Sequence, residues 1–148
     1  MFEEKQEIKM DYLSCHDMLT GLYTKKFLKE KIKDLNLSQK APISFMLFQL
    51  KGLNFIKKRY DNSKIDKIIL KTADMLKAIE RNQDILCRVD TGKFLMMLPQ
   101  TNKIEVKNIL DHLDKKNQEI MKGDLPLALE VAVEIKKDKQ DKNYAVSF

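Results

Sequence analysis

Apolar and polar positions recur with different periods along this chain, and each change of period marks an element. Ile8, Tyr12 and Cys15 fall at helical spacing and predict a helix over residues 1 to about 15. A second helix from about Thr24 carries Phe27, Leu28, Ile32 and Leu35 on one face. Ile43 to Leu50 is an almost unbroken apolar run after Pro42, the pattern of a central strand covered on both faces. Lys51-Gly52-Leu53-Asn54 then turns the chain into a short helix, roughly Asn54 to Tyr60. Ile65, Ile68, Ile69, Thr72, Leu76 and Ile79 form a clean 3.6-residue stripe, with Asn62 or Ser63 as its cap.

Two short apolar runs follow, Ile85 to Val89 and Phe94 to Leu98, around the polar turn Asp90-Thr91-Gly92-Lys93. This is a β-hairpin pattern, with Gly92 expected to supply a positive φ. The second run stops at Pro99, which has no N–H for a sheet ladder. Asn102 and Glu105 have capping-box spacing, and Ile109, Leu110, Leu113 and Ile120 carry a helix towards Gly123. Leu127, Leu129, Val131, Val133 and Ile135 alternate strictly, as a half-buried strand does. A charged loop from Lys136 to Asp141 leads to a final edge strand over Tyr144 to Phe148. The order predicts an α+β domain, with helices packed on a mainly antiparallel sheet.

Composition narrows the function classes. A chain of 148 residues is one domain by length and can bury a real core. No apolar run approaches the ~18 residues of a membrane span, and the N-terminus is too acidic and polar for a secretory signal. Cys15 and Cys87 lack metal or redox spacing, so reduced thiols and a cytoplasmic location are expected. The eight methionines, Met96 and Met97 among them, read as core filler, and His16 and His112 as isolated histidines. The net charge of +6 permits anionic partners without naming one. No cluster of basic residues reads as interleaved with aromatics, so nucleic acid is not expected as a partner. Only Arg59, Arg81 and Arg88 are arginines among 28 basic residues. Two of them lie in the hairpin unit, where a planar fork does what lysine cannot.

Two motifs carry a family resemblance. Asp17-Met18-Leu19-Thr20-Gly21-Leu22 is similar to the Asp-x-Leu-Thr-Gly-Leu entry motif of GGDEF domains, the diguanylate cyclase family. Arg81-x-x-Asp84, five residues before the hairpin turn, and Phe94 after it resemble that family's signature hairpin. Asp90-Thr91-Gly92-Lys93 stands where Gly-Gly-(Asp/Glu)-Glu would be, so the resemblance is to a degenerate member. It implies a palm-like α+β fold over residues 17–148, with residues 1–16 as an N-terminal helix. Only a few residues separate Ile135 from Lys142, so the family's last helix is expected to be missing.

The resemblance also implies what each site position does. Its metal-ligating acids correspond to Gln49 and Lys93, the acid before the latter to Gly92, and a guanine-contacting Asn to Lys57. Asp66 alone keeps a guanine-contact identity; as an acid in the first turn of a helix it is better explained by the helix dipole. An amide and an ammonium do not hold a hard cation, so no catalysis and no magnesium are expected. Arg81 and Asp84 match the family's inhibitory site, which binds cyclic di-GMP. An arginine fork reads O6 and N7 of guanine, and a carboxylate accepts from its N1–H and N2–H₂ edge. Arg88 is expected to pair with an acid. Three readings follow: an inactive cyclic di-GMP receptor acting on a protein partner, a nucleotide-independent interaction or dimerisation module using the N-terminal helix, and an enzyme of altered chemistry.

Overall fold

The computed structural model describes residues 14–34, 39–120 and 127–136. The N-terminal helix before Ser14, the strand expected over Tyr144 to Phe148 and the segment in which a further helix would fall lie outside them. The elements are β1 (Tyr23–Thr24), α1 (Lys25–Asp34), β2 (Ile43–Lys51), α2 (Leu53–Arg59), α3 (Asn62–Ile79), β3 (Ile85–Asp90), β4 (Lys93–Leu98), α4 (Lys103–Ile120) and β5 (Ala128–Lys136). The strands form one sheet in the order β1-β3-β4-β2-β5. All neighbours are antiparallel except β1 on β3.

Period-two alternation explains why the apolar runs of β2 and β4 are continuous: both faces of the sheet are covered. Met46, Phe48 and Leu50 of β2 and Phe94, Met96 and Leu98 of β4 face one way. There they meet Ile65, Ile69, Ala73 and Leu76 of α3, Val106 and Leu113 of α4, and Ile56 of α2. Phe48 and Phe94 are cross-strand partners with no exposed surface. The alternate residues, Ile43 and Phe45 of β2, Cys87 of β3, and Leu95 and Met97 of β4, pack with Leu28 of α1. The free Cys87 thiol is buried there, and burial pushes its pKa up to about 12.

Local chemistry departs from the sequence reading at two places. The α3 cap is Asp61, whose carboxylate accepts from the Lys64 N–H at 3.2 Å, rather than Asn62 or Ser63. Asn62 and Ser63 are already helical, and the Ser63 hydroxyl donates to Asp61 instead. Gly92 does not have a positive φ; among the described residues the glycines that do are Gly21 and Gly52. Gly92 is instead a close approach: a Cβ there would lie 2.5 Å from Leu53 Cδ1, whose side chain would have to shift, and 3.3 Å from Leu50 Cβ. The helix after the hairpin follows the expected capping box. The Glu105 N–H donates to Asn102 Oδ1 at 2.9 Å, and the Asn102 N–H donates to Glu105 Oε1 at 3.5 Å.

Candidate functional site

The entry motif is a compact turn. One Asp17 oxygen accepts from the Thr20 N–H at 2.8 Å and from the Thr20 hydroxyl at 2.7 Å. Gly21 takes φ +72°, a backbone state that disfavours a side chain, and its N–H donates to the Asp17 carbonyl at 2.8 Å. Arg88 reaches across from β3 and donates to both Asp17 oxygens at 3.1 and 3.2 Å. It also donates to the Thr91 carbonyl at 2.9 Å, so it links the motif to the hairpin turn. Burial raises the Asp17 carboxyl, but bonds from Thr20 and Arg88 outweigh it and hold the group below the usual carboxylate range. Lys77 of α3 completes the tie by donating to the Thr20 carbonyl at 2.8 Å.

Beyond that turn, the end of β2 and the hairpin enclose a cavity of about 400 Å³. Gln49, Lys51, Asn54, Lys57, Asp90, Gly92 and Lys93 line it, with Leu50, Leu53 and Ile65 as its apolar wall. Gln49 and Lys93 are paired across β2 and β4. Four of the five positions assigned to one former site therefore do meet: Gln49, Lys57, Gly92 and Lys93. Asp66 does not line the cavity; it is exposed on α3, one turn beyond the first, because Asp61 rather than a later residue starts the helix. The pair facing each other across the two strands is an amide and an ammonium, and the carboxylate of the cavity is Asp90.

Arg81 and Asp84 sit in the turn before β3 and face each other. The Arg81 fork donates from Nε to one Asp84 oxygen and from Nη2 to the other, each at 2.9 Å, and the Arg81 N–H adds a third bond at 2.9 Å. The Asp84 side chain has no exposed surface, and that of Arg81 is 31% exposed. Arg81 also donates to the Thr101 hydroxyl and, at a long 3.4 Å, to Glu105. Its pKa is raised above the ordinary arginine value, first by the bond to Asp84. Arg81 and Asp84 thus form an ion pair that satisfies the turn itself. A second cavity of about 380 Å³ adjoins it, lined by Asn82, Gln83, Asp84, Tyr23, Phe27, Lys31 and Lys40 among others. Tyr23 and Phe27 are stacked there, with centroids 4.0 Å apart and planes 12° from parallel.

Sequence reasoning missed the partners that the fold brings in: Thr101 and Glu105 for Arg81, and the Tyr23–Phe27 stack, although four-residue spacing next to a helix start was a readable signal for the latter. It also missed basic residues interleaved with aromatics. Arg59 lies 4.2 Å over the Phe55 ring and Lys64 5.7 Å over that of Tyr60.

The family model for the GGDEF domain, described as "Diguanylate cyclase, GGDEF domain", matches residues 14–145. The chain belongs to the GGDEF family. Solved GGDEF proteins share its fold at low identity. The coiled coil and GGDEF domain of DgcB from Caulobacter crescentus, in complex with c-di-GMP, is 14% identical with a TM-score of 0.75, covering 91% of this chain and 75% of that one. Vibrio cholerae LapD, an S helix-GGDEF-EAL protein bound to c-di-GMP, is 14% identical with a TM-score of 0.78, covering 95% of this chain and 33% of that one. The diguanylate cyclase SiaD from Pseudomonas aeruginosa, in complex with its activator SiaC, is 16% identical with a TM-score of 0.73, covering 93% of this chain and 55% of that one. A curated relative, protein y4lL of Sinorhizobium fredii, is 24% identical over 91 residues. This GGDEF chain spans 60% of itself but only 11% of that protein in the match. No helix among the described residues is long and apolar enough to cross a membrane.

Proposed function

We propose that this chain is a catalytically silent GGDEF domain with a degenerate signature turn, which binds cyclic di-GMP beside the Arg81–Asp84 turn and signals to a protein partner. The silent half follows from charge. Lys93 stands across from Gln49, so a divalent cation would meet an ammonium and an amide where two carboxylates would hold it. No magnesium enters this reading. The receptor half is carried by one observation: the cavity beside Asp84 joins a stacked aromatic pair to two lysines and three amides. A purine can lie against the Tyr23 and Phe27 rings, and phosphates can meet Lys31 and Lys40. Arg81 Nη1, on a side chain 31% exposed, is tied to Glu105 at 3.4 Å, a contact that a guanine edge can displace while the bonds to Asp84 and Thr101 stay in place. Relatives solved with c-di-GMP or with an activator protein support both the ligand and a protein partner.

Calorimetry with cyclic di-GMP tests the receptor half, and micromolar binding is expected. Arg81→Ala alone is an ambiguous control, because it strands a buried carboxylate. Lys31→Gln/Lys40→Gln leaves the ion pair intact and should weaken binding at least tenfold. No heat at high ligand concentration rejects the receptor half and leaves the nucleotide-independent interaction module. That second reading is favoured by the Asp84 oxygens being satisfied within the chain. Product formed from GTP with Mg²⁺ or Mn²⁺ would reject the silent half in favour of altered enzyme chemistry.

A further inference from the structure

The cavity at the end of β2 has a charge that calls for a ligand of its own. Three ammonium groups, Lys51, Lys57 and Lys93, line it against one carboxylate, Asp90. Lys51 is partly balanced by Glu130 at 3.7 Å, but that pair is solvent-exposed and weak. Among the described residues, neither Lys57 nor Lys93 has a carboxylate within ion-pair distance. Like charges sharing one concave site repel each other, and the repulsion is relieved by a bound anion. The remaining lining suits an amphipathic anion: Gln49 and Asn54 offer amide donors, and Leu53 and Ile65 an apolar wall.

We infer that this cavity binds a phosphate-bearing anion directly and without metal, with Lys57 and Lys93 supplying the positive charge that a divalent cation would otherwise bring. The inference rests on the silent half of the proposed function and is independent of the cyclic di-GMP half. It has a signature that reverses the usual one. Where a metal bridges protein and phosphate, Mg²⁺ strengthens binding. Here Mg²⁺ chelates the free anion and lowers its charge, so it weakens binding.

The test is calorimetry on the full chain with inorganic tripolyphosphate, in EDTA and then in excess Mg²⁺, repeated with GTP. Saturable binding in EDTA is expected, weakened severalfold by excess Mg²⁺ and by raised salt. Lys57→Gln/Lys93→Gln should weaken it by about tenfold or more, with an unchanged circular dichroism spectrum and unchanged cyclic di-GMP binding. GTP binding tighter than tripolyphosphate supports an added base contact on the apolar wall, and equal binding supports a site for the phosphates alone. Absence of binding in EDTA, binding that requires Mg²⁺, or binding untouched by the double substitution overturns the inference. Turnover of GTP would instead overturn the silent reading beneath it, so the two failures are distinguishable.

Discussion

Asp17 and Glu80 show how neighbouring groups decide what a carboxylate contributes. Asp17 is held below the usual range because Thr20 and Arg88 outweigh its burial. A depressed carboxyl stabilises the fold above its unfolded pKa of about 4 and loses that contribution as pH falls through the folded value. Asp17→Asn should therefore lower the thermal midpoint at pH 7, by a difference that narrows below about pH 4. Glu80 has the opposite sign, since burial and then the Asp84 carboxylate raise it. Its contribution is full at low pH and is lost as pH rises through the raised folded value. Glu80→Gln should be more stable than the parent at pH 7 and equal to it below about pH 4. Thermal melts of both variants from pH 3 to 7 check the two signs together. Only part of this was readable in the chain. Arg88 was expected to find an acid, but its partner lies 71 residues away, a pairing that no local spacing encodes.

Capping links α4 to the Arg81 turn. Glu105 uses one oxygen on the Asn102 N–H and the other on Arg81, so the helix start and the turn before β3 share a carboxylate. Asn102→Ala removes the side-chain acceptor for the Glu105 N–H and should cost about 1 kcal/mol. Urea unfolding should show a lower midpoint with an unchanged slope, because the surface exposed on unfolding does not change. The Asn102–Glu105 box was legible because both partners lie within one turn. The α3 cap was misread by one or two positions: Asp61, Asn62 and Ser63 are all competent caps, and only the backbone path after α2 selects among them. Gly92 was misread for a related reason. A turn glycine suggests a positive φ, whereas here the constraint is contact with Leu53 of α2.

Across the whole molecule, the sheet order places the two cavities apart, one at the end of β2 and one against α1 and the turn before β3. The silent reading makes a prediction at this scale, because the fold that brings Gln49 opposite Lys93 should accept acids there. Gln49→Asp/Lys93→Glu should gain magnesium binding relative to the parent. At a hundredfold excess of Mg²⁺ over Kd, its thermal midpoint should rise by roughly 5 to 10 °C. A rise in the parent, or none in the double variant, would count against the charge argument for this cavity.

The periodicities of this chain were enough to mark α1 to α4, β2 to β5 and the two-sided burial of β2, because apolar burial at period two or 3.6 is a local property of the sequence. The tertiary structure decided which side chains share a site. It joined Gln49 to Lys93 across two strands, left Asp66 outside on α3, and turned Arg81 onto Asp84, Thr101 and Glu105. Those outcomes depend on strand register and on the packing of elements far apart in the chain, where direction and distance are set by the fold rather than by spacing.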